Sequence, residues 1–138
     1  MSYSATTIPG HMVDLLTSGV LATLATVRPD GSPAISNTWV DFDGTHVITS
    51  AEGGSRKAAN IRHEPRVALS VVDPADRWRY LLIRGSVTEI QGDPDLAFID
   101  RMARRYLGAD YESRATDRDV FIIAVDQVRV GEGSGPSR

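Results

Sequence analysis

The sequence predicts a mainly β fold of the α+β kind, in which six antiparallel strands close into a barrel and two or three helices pack outside it. Three observations carry that reading. Apolar, β-branched runs alternate with tight-turn signals; one run, residues 78–91, is long and contains Gly85 where a barrel strand would bend; and only the segment after Asp93 sustains a helical period.

The elements follow in order. A short helix is expected over residues 9–16. "GVLATLATV", residues 19–27, is a strand, and "RPDGSP" turns it back into "AISNTWVDF", residues 34–42. The pair Asp43 and Gly44 turns the chain again into "THVITS", residues 45–50, so three strands are expected as a meander. Ser55 is a favourable N-cap for "RKAANIRHE", a helix of about two turns that Pro65 stops. "RVALSVV", residues 66–72, is a buried strand, and the long strand 78–91 follows. Asp93 and Pro94 signal a helix start, and Leu96, Ile99, Ala103 and Tyr106 recur at helical spacing until Gly108. A last strand covers residues 119–130, and the Gly/Ser tail at about 131–138 is expected to be flexible.

Composition bounds the function. A chain of 138 residues, 41% hydrophobic, is expected to be one domain spanning 1–138 with a real core. Its net charge of −3 and scattered arginines disfavour nucleic acid or an acidic membrane as partner. Without cysteine there is no disulfide and no thiolate chemistry. No segment reaches the ~20 apolar residues of a membrane span, and the polar start lacks the regions of a signal peptide, so a cytoplasmic protein is expected. His11, His46 and His63 are too widely spaced for a metal motif. Gly131, Gly133 and Gly135 imitate a dinucleotide fingerprint, but no helix follows them.

The chain carries fourteen arginines and a single lysine, Lys57, within "TSAEGGSRKAANIRHEPR". A helix capped by Ser55 would aim the amides of Arg56, Lys57 and Ala58 outward, where the helix dipole favours an anion. Gly53 and Gly54 would clear the approach, Thr49 and Ser50 would add hydroxyls, and Lys57 and Arg56 would add charge. An ordinary β-to-α turn is the competing reading, since serine caps helices everywhere. Cations in a first turn oppose the dipole, and that placement argues for a bound anion.

"ITSAEGGSRKAANIRHEPRVALSVV" resembles the phosphate-gripping segment of the pyridoxamine phosphate oxidase-like split-barrel superfamily, in which Ser-Arg-Lys after a strand leads to Asn-Ile and "EPR". "LATLATVRPDGSPAISNTWVDFDG" resembles that family's opening hairpin, and "WRYLLIRGSVTEI" its long strand. The resemblance covers residues 19–90, and beyond them it follows element order. It implies an FMN-binding split barrel. The Gly-containing "AEGG" loop makes the chain most similar to short actinobacterial flavin/deazaflavin oxidoreductases that bind coenzyme F420. The family's pyridoxamine oxidases also carry an arginine-containing C-terminal segment where this chain has its Gly/Ser tail.

What the resemblance implies is an F420-dependent reductase that passes hydride between the deazaflavin and a small conjugated acceptor, working as a homodimer with the cofactor at the interface. FMN as cofactor, or a carrier or sensor that binds F420 or a tetrapyrrole without turnover, are the alternatives. The cofactor phosphate would rest on Ser50, Ser55, Arg56 and Lys57. Ser36, Asn37 and Thr38 would lie along the ring with Thr49 near it, and Trp78 and Arg79 would reach a site from the partner subunit. For these last two, a rim-packing aromatic and a solvated strand-end charge are the alternatives. No side chain is assigned to the chemistry, although Tyr80 or a hydroxyl of the 36–38 strand is a possible proton source.

Overall fold

The computed structural model describes residues 4–134. Its strands are β1 (Ser4–Ala5), β2 (Ala22–Val27), β3 (Pro33–Thr38), β4 (Asp41–Phe42), β5 (His46–Glu52), β6 (Arg66–Asp73), β7 (Asp76–Gly92) and β8 (Arg118–Glu132). The helices are α1 (Asp14–Thr17), preceded by a 3-10 turn at Gly10–Met12, α2 (Arg56–His63) and α3 (Ala97–Leu107). The expected six strands are the six long ones, and two-residue strands are added at the start and at Asp41.

All pairings are antiparallel, in the order β3-β2-β6-β7-β8-β5-β4, with β1 on β8. The two ends of that path, β3 and β4, are joined by only Trp39 and Val40. A flat sheet would hold its edge strands tens of ångströms apart at ~4.8 Å per strand, so the sheet has to curl until its edges meet. They meet without pairing, which leaves a split. The expected meander is therefore corrected: β3 pairs only with β2 and β4 only with β5, because the chain crosses the split at Trp39.

Turn chemistry positions the hairpins as the residues demand. Between β2 and β3, the Gly31 amide donates to Arg28 O at 2.8 Å with Gly31 at φ +87°, and Asp30 accepts from the Ser32 amide. Gly85 is a true bulge: the β7–β8 register shifts at Arg84/Gly85, and a Cβ there would stand 2.2 Å from Ala124 O.

Two apolar layers result. The barrel interior is filled by alternate residues of the strands, among them Leu24, Leu69, Leu81, Ile83, Phe121 and Ile123. Met12, Leu15 and Leu16 pack into this interior from the N-terminal segment, and Ala58 and Ile61 from α2. The second layer lies under α3, where Phe98, Met102 and Val120 pack with Trp39 and Tyr106. This helix starts three residues later than expected. Asp93 to Leu96 form a turn, and the Asp93 carboxylate accepts from the Phe98 and Ile99 amides at 3.0 Å each, so Asp93 still caps α3 from a distance.

The tail also differs from expectation. Gly131 and Glu132 complete β8 by pairing with Tyr80 and Arg79, a side chain at 131 would strike the Tyr80 ring, and Ser134 donates to Asp76 through both its amide and its hydroxyl. Residues 135–138 lie outside the described residues. Among the described residues no helix is long and apolar enough to cross a membrane.

Candidate functional site

The split is where the polar groups gather. Thr49 is fully buried on β5, and its hydroxyl donates to Trp39 O at 2.8 Å. With that proton committed, the 2.7 Å contact between the Thr38 and Thr49 hydroxyls has Thr38 as donor. The oxygen of Thr38 then accepts from Lys57 Nζ at 3.3 Å. The chain Lys57–Thr38–Thr49–Trp39 is thus directional, running from an ammonium to a backbone carbonyl across the split. On the other side of the linker the Tyr106 hydroxyl accepts from the Val40 amide at 3.0 Å and donates to Val20 O at 2.8 Å, while its ring stacks on Trp39 with centroids 5.2 Å apart. The unpaired backbone at the strand break is thereby satisfied.

Lys57 is half-buried and makes no ion pair among the described residues. Burial, and then the nearby Arg118 charge, pull its ammonium below the usual lysine range. An ammonium that has left water and met a second cation instead of a carboxylate is suited to an anionic ligand. Arg56 and Ser36 line the same groove of about 250 Å³ with Lys57 and Asn60. Thr38 and Ser50 line the adjoining cleft of about 190 Å³, together with Trp39, Tyr111 and Arg118. Each hollow falls short of the ~300 Å³ at which sites for ligands of drug size begin.

Most of the expected residues are brought together here, with three corrections of role. The run Ser36, Asn37 and Thr38 is divided by the two-residue period of β3. Ser36 and Thr38 belong to the face toward α2, whereas Asn37, on the other face of β3, accepts from the Thr23 hydroxyl at 3.3 Å and borders the cleft beside Thr38. Thr49 is sealed under the linker and orients Thr38. Ser55 does cap α2, accepting from the Ala58 amide at 3.2 Å, but the anion-attracting face lies elsewhere than the glycines suggested. The Asp117 carboxylate occupies the space a Cβ of residue 53 would need, and Glu52 and Asp117 border the hollow beside Ser55. Among the described residues, the groove that Arg56 and Lys57 share with Ser36 has no carboxylate in its lining.

Trp78 and Arg79 sit away from Lys57 within the chain, at the far end of β7, with β2 and β6 between them and β3. Arg79 has a different task from the one expected. Its guanidinium meets Asp14 and Asp73 and donates to His11 O at 2.8 Å, tying the N-terminal segment to the barrel. Those hydrogen bonds hold it above even the ordinary arginine range. Tyr80 packs its ring over Gly131, away from the split.

Besides the apolar lining of Leu21, Trp39 and Ile99, two residues of the cleft escaped sequence reasoning. Arg118 was lost in a polar stretch, and Tyr111 in the loop before it. A signal existed for Arg118: carried back from Val120, the strand period puts it on the face that looks under α3. Nothing local points to Tyr111.

Comparison with known proteins bears on this arrangement. The family profile described as pyridoxamine 5'-phosphate oxidase matches residues 8–130. Among solved structures, a protein described as an F420 reductase is 35% identical, with a TM-score of 0.81 over 88% of this chain and 98% of that chain. A conserved hypothetical protein from Mycobacterium tuberculosis shares 22% identity with a TM-score of 0.72, over 97% of this chain and 98% of that one. HupZ of Group A Streptococcus shares 23% with a TM-score of 0.66, over 93% of this chain and 99% of that one. At their identity the last two speak to the fold alone. Since the matching profile runs from the N-terminal turn through the split and into β8, rather than through one motif, this split-barrel chain belongs to the pyridoxamine 5'-phosphate oxidase family.

Proposed function

We propose that the protein is an F420-dependent reductase, active as a homodimer, that moves hydride between the deazaflavin and a small conjugated acceptor. The observation that carries the reading is Lys57: a half-buried ammonium, fixed by Thr38 in the split, with no carboxylate paired to it among the described residues. The likeness to an F420 reductase at 35% identity supports deazaflavin over FMN.

The residues fit such a cofactor. Lys57 and Arg56 neutralise its phosphate from the side of α2 that faces Ser36. Ser36 and Thr38 offer hydroxyls along the inner face of β3 to the polar edge of a ring. The deazaflavin, when bound, supplies the hydride chemistry, and the protein's part is to orient it and keep water away. Of the two proton sources considered, the hydroxyls of β3 line the split, whereas Tyr80 packs against Gly131.

Size and surface both support a second subunit. Neither hollow alone encloses a whole cofactor, and the outer face of β3, β2, β6 and β7 carries apolar residues in water: Ile35 is 76% exposed and Leu82 38%, beside a groove lined by Ala25 and Ala68. A partner on that face would complete the site, and Trp78, 47% exposed, is the residue of the far end best able to reach it.

Titration of the purified protein with F420 and with FMN tests the reading. Binding of F420 at micromolar protein, followed by its fluorescence, is the expected result. Tight FMN retention with F420 fluorescence unchanged would replace deazaflavin by flavin. Ile35→Glu should shift the species seen by light scattering from dimer to monomer and weaken cofactor binding with it.

A further inference from the structure

Arg118 is the most deeply buried cation of the split, with 8% of its surface exposed. Its Nη2 donates to Ser50 Oγ at 3.3 Å, its guanidinium lies 5.1 Å from the Tyr111 ring centre, and its Nε meets no acceptor among the described residues. It forms no ion pair among them either. The arginines nearby behave otherwise: Arg101 and Arg105 share Asp41, and Arg114 grips Asp100. A buried guanidinium with an unsatisfied donor is costly to keep, and chains rarely keep one that nothing will use.

Its position suggests the user. Ser50, which Arg118 touches, follows Thr49, and Thr49 is bonded to Thr38, which Lys57 touches. The ammonium from α2 and the guanidinium from β8 therefore bracket one pair of strand ends, and Thr38, Ser50 and Arg118 line one cleft. We propose that Arg118 is the second cationic ligand of an oxyanion bound in the split, a phosphate or carboxylate held between its guanidinium and Lys57. An ammonium supplies a point charge, and a guanidinium adds directed donors, so the pair selects a group with several oxygens over a single halide. This deepens the proposed function, since it assigns a further ligand to the same cleft, and it fails separately from it.

The test compares wild type with Arg118→Met by thermal melting in phosphate, in succinate and in chloride at equal ionic strength. Titrations with F420, FMN and their phosphate-free ring forms accompany it. Removing a buried charge that waits for a ligand should leave the ligand-free variant melting no lower than wild type. It should abolish the rise in Tm that oxyanions give wild type and weaken binding of the phosphate-bearing cofactor at least ~10-fold. Unchanged affinity for the phosphate-free forms would mark the cofactor phosphate as the source, whereas protection by succinate alone would mark a carboxylate. Arg118→Lys, which keeps charge but loses the fork, should bind at intermediate strength and guards against a variant that fails to fold. If neither anion protects wild type and both variants bind cofactor as wild type does, the inference is wrong. Anion protection that depends on Arg118 without any binding of F420 or FMN would sink the proposed function and leave the inference standing.

Discussion

The two ends of the Trp39–Val40 linker treat charge in opposite ways. At its C-terminal end Asp41 accepts from Arg105 at 2.9 Å and Arg101 at 3.0 Å, and the neighbouring α3 has Asp93 on its first amides and Asp100 between Arg114 and the Tyr111 amide. Every buried carboxylate on that side is paired within the chain. At the N-terminal end, three residues away, Thr38 touches Lys57, and neither Lys57 nor Arg118 forms an ion pair among the described residues, although Glu52 and Asp117 border a hollow with Arg118. Charges closed on themselves hold the fold, and charges left open at a partly closed surface wait for something that is not part of the chain.

The largest effect should come from opening a closed pair. Asp41→Asn leaves two arginines facing a neutral amide and is expected to cost about 2–3 kcal/mol in urea unfolding, at the low end because Arg101 stays half in water. The complementary change at the open end, Lys57→Met, should lower affinity for a phosphate-bearing cofactor ~10- to 100-fold, or about 1.4–2.7 kcal/mol. Unfolding of its cofactor-free form should stay at or above the wild-type midpoint. Loss of stability together with unchanged affinity would turn Lys57 into a structural residue and erase the contrast.

The two ends also separate by pH. Burial pushes the Asp41 carboxyl up, but hydrogen bonds from Arg105, the Phe42 backbone and Arg101 outweigh it, so it lies below the ordinary carboxylate value. Its contribution is complete above about pH 4 and is lost as pH falls through the depressed value; Asp41→Asn should flatten that part of the acid-unfolding curve. Lys57 gives a slope of the same sign in a different, alkaline window, and for it the charged form is the destabilised one. Because its folded value is depressed, its burial penalises the protein while the ammonium is charged, and stability should rise with pH between the folded value and the ordinary lysine value. Affinity for an anionic cofactor should fall as pH rises above the depressed folded value of Lys57, and Lys57→Met should remove the dependence.

Arg79 sharpens the comparison with a smaller effect, for it was expected to be open and is closed. Arg79→Gln should lower Tm by a few degrees through release of the N-terminal segment and leave cofactor affinity as it was. Smallest of all is the pair of loop glycines. Gly53→Ala must displace the Asp117 carboxylate, whereas Gly54→Ala meets nothing within 4 Å, so only the first should lower the melting temperature measurably.

Much of this was legible before any coordinates. The two-residue period of "RVALSVV" and the turn residues of "RPDGS" leave little choice of strand, and Gly85 announces its bulge because a side chain there would meet a carbonyl. Ser55 and Lys57 were visible for a similar reason, since a helix N-cap and an out-of-place cation are local facts. What stayed hidden is where the chain stops being a strand. Trp39 and Val40 look like strand residues, and only the stack on Tyr106 and the carbonyl bond to Thr49, 67 and 10 positions along the chain, take them out of the sheet.

The sequence by itself determined the fold class, the strand and helix types, and the address of one cation, because alternation, capping and turn geometry depend on residues within a few positions of each other. The tertiary structure alone decided that β3 and β4 part to leave a split, that Asn37 is bonded to Thr23 of the neighbouring strand, and that Arg79 is ion-paired while, among the described residues, Lys57 and Arg118 are not. Pairing of charges depends on which strands become neighbours when the sheet closes, and Arg118 meets Ser50 from 68 positions away.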